Sequence, residues 1–283
     1  MKKMSQSNMK TITVIGSGLI GRSWAMVFAS GGYSVKMYDN QPGQADKAVT
    51  ELRKQMTELE EGGMLRGQLS ATQQLALLST YDDLPLALQG AFFVQECVFE
   101  QLEVKQNIFQ DVERLVGKDV ILSSSTSCLV PSNVFSKVQD RSRCIVSHPV
   151  NPPYLVKLVE LVPHPDTTVA VMDNTHTLMT RVGQVPVRLK REIDGFTVNR
   201  VQAAIIAESW RLVQTWLLPK TRCGSEIYAD TTFLHLWLDV KEPTNRPRLG
   251  FVLKVTMQMM NNYFPHMQYM MAIKMTSNER RIY

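Results

Sequence analysis

The stretch TITVIGSGLIGRSWAMVFASGGYSVKMYD, residues 11–39, constrains this chain more than any other. It opens on a β-branched run, passes at once into a glycine turn, and continues as SWAMVFASGG, whose apolar positions suit a helix ended by Gly31 and Gly32. SVKMY then alternates as a second strand ending at Asp39, so the pattern predicts a βαβ unit of about thirty residues. Gly16, Gly18 and Gly21 fit G-x-G-x-x-G between the strand and the helix. There Gly16 makes the tight turn, Gly18 lets a pyrophosphate approach the backbone, and Gly21 permits close helix–strand packing, with the helix N-terminus facing the phosphate charge. Leu19 and Ile20 complete this expected cofactor-binding turn. Asp39 stands eighteen residues past Gly21, where a carboxylate accepts hydrogen bonds from adenosine ribose hydroxyls. No arginine directly follows it, so the expected dinucleotide is NAD rather than NADP. The competing reading is a plain βα turn with Asp39 capping the next loop.

Downstream, polar helices are expected over 43–62 and 70–78, strands over 91–98 and 119–125, and a helix over QLEVKQNIFQDVERLV between those strands. CIVSHPV at 144–150 and KLVELV at 157–162 read as further strands, and TLMTRVGQVPVRLK as a helix running into one more. Strands alternating with helices predict an α/β protein with a doubly wound, mostly parallel sheet, a Rossmann domain over residues 9–192. From Gly195, GFTVNRVQAAIIAESWRLVQTW has helical periodicity and opens a smaller C-terminal helical domain over 193–283. Beyond Leu218 prolines punctuate short pieces and no fold can be assigned.

Composition narrows the function classes. A formal charge of +5 over 283 residues hints at an anionic partner, but the basic residues are scattered and no aromatic-interleaved basic stripe suggests nucleic acid. Cys97, Cys128, Cys144 and Cys223 form no CxxC pair and no metal spacing, and read as reduced, mostly buried thiols. No segment approaches the roughly 20 apolar residues of a membrane span, and MKKMSQSNM is no signal peptide, so a cytoplasmic protein without bound metal is expected.

Oxidation of a secondary alcohol needs a base for the hydroxyl proton, and histidine has the suitable pKa. His148 follows an apolar strand and precedes Pro149, which puts it at a carboxyl sheet edge, where open α/β sheets keep their ligand crevice. In KLVELV, Glu160 shares a strand face with Leu158 and Val162, surroundings that ask for a partner. That partner is either His148, whose tautomer the carboxylate would fix, or a passing lysine such as Lys157. Ser127 in SSSTSCL either bonds the substrate oxygen or belongs to a serine-rich turn capping the next helix. Asn199 either holds a carbonyl or the histidine, or caps the helix it begins.

Together these residues resemble the 3-hydroxyacyl-CoA dehydrogenase family. GSGLIGRSWAMVFASGGYSVKMYD, SSSTSCLVPS, HPVNPPYLVKLVELVPHP and GFTVNRVQAAIIAESWRLV are most similar to its lambda-crystallin branch, over about residues 9–214. The resemblance implies a catalytic pair, His148 and Glu160, twelve residues apart. It also implies Ser127 as the substrate-binding serine, Asn199 as the active-site asparagine, and Glu100 and Lys105 on the cofactor side. The implied function is NAD-dependent oxidation of L-gulonate, a small 3-hydroxy acid, to 3-dehydro-L-gulonate by a cytoplasmic homodimer whose C-terminal helices form the interface. Beyond about Gln214 the sequence departs from that pattern, so against the family the second domain reads as incomplete or altered. Two further readings are therefore carried: an inactive, crystallin-like or NAD-binding protein, and a 3-hydroxyacyl-CoA dehydrogenase, from whose wording HPVNPPY departs.

Overall fold

The computed structural model describes residues 10–214. The opening unit is β1 (Thr11–Ile15), α1 (Leu19–Ser30) and β2 (Ser34–Tyr38), followed by α2 (Gln44–Glu61), α3 (Ala71–Leu75), β3 (Leu78–Tyr81), α4 (Leu84–Leu88) and β4 (Ala91–Glu96). Then come α5 (Leu102–Leu115), β5 (Ile121–Ser124), α6 (Pro131–Val134), β6 (Cys144–Pro149), β7 (Leu158–Pro163), α7 (Val169–Arg181), β8 (Val185–Arg188) and α8 (Val198–Gln214). The strands form one eight-stranded sheet in the order β3-β2-β1-β4-β5-β6-β7-β8. Neighbours pair in parallel except β6 and β7, which are antiparallel. The chain leaves β1 for β2 on one side and returns to β4 on the other, so the sheet changes winding direction beside β1. Ligands of doubly wound sheets bind beyond the strand ends at such a point.

Burial follows the side-chain patterns. α2 buries Ala45, Ala48, Leu52, Met56 and Leu59, one stripe at three- and four-residue spacing, and leaves its charged face to water. Trp24 and Phe28 of α1 stack with centroids 5.1 Å apart, and Phe28 meets Phe93 of β4 edge-on at 6.2 Å. A second cluster joins Phe109 of α5, Phe135, Leu122, Val146, Val162 and Phe196 across the centre of the sheet. α5 buries Phe109 and Val112 on a face that also carries Lys105, a charged residue at a core position.

Several expected boundaries move. The helix expected over 70–78 is the short α3, started by a Ser70–Gln73 capping box, and the residues after it turn into β3. β3 pairs only with β2, and its LSTY is half-buried throughout, so this edge strand lacks the apolar run that marks a buried one. β4 stops at Glu96 rather than residue 98, because the Glu96 carboxylate turns back to accept the Val98 amide at 2.7 Å. α7 begins at Val169, well before TLMTRV, on a cap from Thr168; its β-branched opening masks the helix in the sequence. The remainder of the expected helical domain, residues 215–283, including Cys223, lies outside the described residues.

The turn into α1 tolerates no side chain at its third glycine. A Cβ added at Gly21 would stand 1.8 Å from the Gly16 carbonyl oxygen, a backbone atom that cannot swing aside. Gly21→Ala is expected to lower unfolding stability by about 3 kcal/mol or more. An unchanged urea midpoint in that variant would contradict the close packing.

Candidate active site

The nucleotide side of the crevice is built by the glycine turn. Gly16 has φ +93°, and a Cβ there would meet the Cys97 carbonyl at 2.6 Å, so the turn packs directly on the end of β4. At Gly18 the corresponding space is open, with no atom within 4 Å. Gly18 is also the N-cap of α1 and supplies no side-chain bond, so the first-turn amides around Leu19 and Ile20 are not capped by it. An uncapped helix start beside open space is where an anion is held. Asp39 follows β2 at its carboxyl end. Its Oδ2 accepts the Ser17 amide at 2.9 Å and the Ser17 hydroxyl at 2.6 Å, and its Oδ1 accepts the Gln41 amide at 3.1 Å. The carboxylate thus braces the glycine turn and caps its own loop, at the position where a ribose would lie. This cradle fits a dinucleotide: a phosphate over Gly18 and the α1 N-terminus, and a ribose toward Asp39.

A charge network centred on the buried Lys105 joins β4 to the serine loop. Lys105 reaches back from α5, almost fully buried, and its Nζ donates to Glu96 Oε1 at 2.7 Å and the Val98 carbonyl at 3.2 Å, with Glu100 Oε2 at 3.1 Å. Glu96 is fully buried and also accepts the Ser124 hydroxyl at 2.5 Å. Burial alone would pull the Lys105 ammonium down, but Glu96 and Glu100 outweigh it and hold the group above its ordinary value. Glu100 accepts the Thr126 hydroxyl, the Ser127 amide at 2.9 Å and, more weakly, the Ser127 hydroxyl at 3.4 Å. Burial would raise the Glu100 carboxyl; Lys105, Thr126 and the Ser127 amide hold it below the usual range. Lys105 therefore bears on the crevice through Glu100, while Ser127 itself is exposed.

His148 and Glu160 face each other across the antiparallel β6–β7 pair, as direct register partners. His148 Nδ1 lies 2.8 Å from Glu160 Oε2, with the imidazole nearly buried and the carboxylate fully so. The other oxygen, Oε1, accepts the amides of Thr197 at 2.7 Å and Val198 at 3.0 Å, at the start of α8. Burial would raise the Glu160 carboxyl, but the His148 bond and those two amides overcome it and hold it below its ordinary 4.5. Of the two partners open to Glu160 in the sequence, His148 is thus in place. Phe196 packs against the imidazole with ring centroids 5.5 Å apart. Its φ of +46° makes it the non-glycine residue with left-handed backbone among the described residues, a conformation costing roughly 1–2 kcal/mol. Asn199 Nδ2 donates to the Ser127 carbonyl at 2.6 Å, so residues 196–199 touch the histidine, its carboxylate and the serine loop in succession.

The residues expected to act together, His148, Glu160, Ser127 and Asn199, are brought together at one edge of the sheet. Missed in the sequence were Glu96, hidden in the apolar run AFFVQECV, and Phe196, whose backbone no spacing rule announces. Also missed was Arg66, which donates to the Leu155 carbonyl at 3.2 Å and so holds the proline loop between β6 and β7. Of the thiols, Cys144 is buried, Cys97 half-buried and Cys128 exposed, a more exposed set than expected. Among the described residues no cluster of three or more His, Cys, Asp or Glu is placed to hold a metal, and no helix is long and apolar enough to cross a membrane.

Fold and cradle together define the NAD-binding domain of a dehydrogenase. The chain belongs to the 3-hydroxyacyl-CoA dehydrogenase family, whose NAD-binding domain is matched over residues 11–193. It is similar to the mouse (Mus musculus) lambda-crystallin homolog, 55% identical over 203 residues that cover 72% of this chain and 64% of the relative. It is similar also to a 3-hydroxyacyl-CoA dehydrogenase of Gibberella moniliformis, 33% identical over 208 residues, 72% of this chain and 62% of the relative. Among solved structures, 3-hydroxybutyryl-CoA dehydrogenase of Escherichia coli superposes with a TM-score of 0.70 at 29% identity, over 75% of this chain and 44% of that one. The chain thus spans a little under two thirds of these curated relatives.

Two outcomes are expected from the charges. Lys105→Met strands the buried Glu96 carboxylate and should cost about 3–5 kcal/mol in urea unfolding, with a large part recovered when Glu96→Leu is added. Because the Glu160 carboxyl is depressed in the folded state, the stability it contributes is present above about 4.5 and is lost as pH falls through its folded value. Glu160→Gln should therefore flatten the acid limb of a stability–pH curve, and an acid limb identical to that of the unaltered protein would contradict the assignment.

Proposed function

We propose that this protein oxidises the 3-hydroxyl of a small 3-hydroxy acid with NAD, L-gulonate to 3-dehydro-L-gulonate, with His148 as the general base. The observation that carries the reading is the 2.8 Å contact between His148 Nδ1 and Glu160 Oε2 at the carboxyl end of β6. With Nδ1–H donated to the carboxylate, Nε2 is the nitrogen that takes the hydroxyl proton, and Glu160 stabilises the imidazolium that results. Ser127 and Asn199 hold the substrate oxygen, and Glu100, steadied by Lys105, fixes the serine loop that presents them. Bound across Gly16, Gly18, Leu19, Ile20, Gly21 and Asp39, NAD supplies the hydride acceptor. The 3-hydroxyl is supported by the names of the relatives that carry 3-hydroxyacyl and 3-hydroxybutyryl groups; the free polyol acid is what the sequence resemblance to the lambda-crystallin branch implies. The proposed domain division keeps residues 9–192 for the cofactor and 193–283 for substrate closure and a homodimer interface in the cytoplasm.

The test is formation of NADH with L-gulonate. His148→Gln is expected to lower kcat by roughly a hundredfold or more while NAD affinity is retained. Full activity in that variant would overturn the base. Protein that binds NADH but turns over no 3-hydroxy acid would favour the inactive reading, and reduction of acetoacetyl-CoA in place of gulonate oxidation would move it to the CoA branch.

A further inference from the structure

We propose that Phe196 is the positioning residue of the His148–Glu160 pair, and that its left-handed backbone is retained because one residue thereby sets both members. The inference rests on the reading of His148 as the base. Three observations converge on it. The Phe196 ring is fully buried in the cluster under the sheet and packs against the imidazole at 5.5 Å between centroids, tilted by 56°. The amides that follow it, Thr197 and Val198, both donate to Glu160 Oε1, so the turn at Phe196 aims two donors at the carboxylate that orients His148. The backbone is held from the other side as well. Phe196 donates its own amide to the Ile193 carbonyl at 3.1 Å, closing a turn through Gly195, whose φ is +71°.

The geometry leaves the ring little else to do. It presents no polar atom, and it is fully buried in the apolar cluster. A residue needed only to fill that volume would not require a left-handed backbone, since other folds of the turn could bury an aromatic ring without it. What the left-handed step provides is direction. It sends the chain from the buried ring into α8 with two successive N–H groups converging on one oxygen, the concave arrangement that backbone amides use to hold an anion. The ring restricts the imidazole plane and the amides restrict the carboxylate, so the Nδ1–Oε2 contact is fixed from both ends.

The experiment uses the full chain and two variants. Phe196→Leu keeps an apolar side chain but loses the flat face; Phe196→Gly relieves the backbone and removes the ring. Nitrogen-15 spectra of histidine-labelled protein, assigned by His148→Gln, read the tautomer of His148 without requiring turnover. The unaltered protein is expected to show one tautomer protonated at Nδ1. Both variants are expected to show averaged ring nitrogens, with NAD affinity within about twofold of the unaltered protein, since no cradle residue is touched. Where L-gulonate is turned over, kcat should fall roughly tenfold to a hundredfold with KM little changed. A single Nδ1-protonated tautomer persisting in Phe196→Leu and Phe196→Gly would overturn the proposal. So would parallel loss of NAD affinity and tautomer order, the pattern of a merely structural residue. An ordered tautomer in the unaltered protein that the variants lose, without turnover of any 3-hydroxy acid, would sustain the positioning role while the proposed reaction fails.

Discussion

Everything at this site hangs on the antiparallel pairing of β6 with β7. In an otherwise parallel half-sheet, each strand arrives from a crossover and its hydrogen bonds to its neighbours run at a slant. One reversal changes that locally. His148 and Glu160 become direct partners across a ladder, close enough for a hydrogen bond and fixed by every other bond in the pair. Because β8 resumes parallel pairing with β7, the reversed strand is held on both sides and cannot fray as an edge would.

A second layer of constraint comes from an ammonium placed where solvent cannot reach. Lys105 occupies a core position of α5 and draws Glu96 and Glu100 toward itself, so the ends of β4 and the serine loop after β5 are tied to a single ammonium. The same logic appears at Glu160, whose two oxygens divide their work between the imidazole and the α8 amides. Carboxylates here act as joints between elements: Glu96 closes β4, Glu100 meets the loop after β5, and Glu160 meets His148 at the carboxyl end of β6.

What was legible in the sequence follows from how local each signal is. The glycine turn, β1, α1 and β2 are read correctly because tight turns and β-branched runs are decided within a few residues. Asp39 was placed correctly at the strand end, yet its bonds to Ser17 could not be read, since they cross from one loop to another. Glu160 announced itself as an acid in an apolar strand, whereas Glu96 did not, although both are buried carboxylates; the lysine that pairs with Glu96 comes from a separate element, the helix α5. β3 was missed because an edge strand with half-buried residues has no run to display. Phe196 was invisible for a different reason: nothing in GFTVNR separates a residue that adopts a left-handed backbone from one that does not.

The proline-rich loop between β6 and β7 gives the twelve-residue spacing a meaning other than the one it carries in the sequence. In a hairpin, opposed residues are defined by the ladder, and the number of residues between them is whatever the connection happens to contain. Lengthening or shortening 150–157 by design would change the count from His148 to Glu160 and leave the contact untouched, so long as Arg66 still holds the loop and the register is kept. A slip of one residue in the ladder, by contrast, would preserve the count and turn the carboxylate to the opposite face of the sheet. Spacing is thus a record of loop length, and a search for such pairs in other chains is better framed as a search for opposed positions on two reversed strands than for any fixed interval.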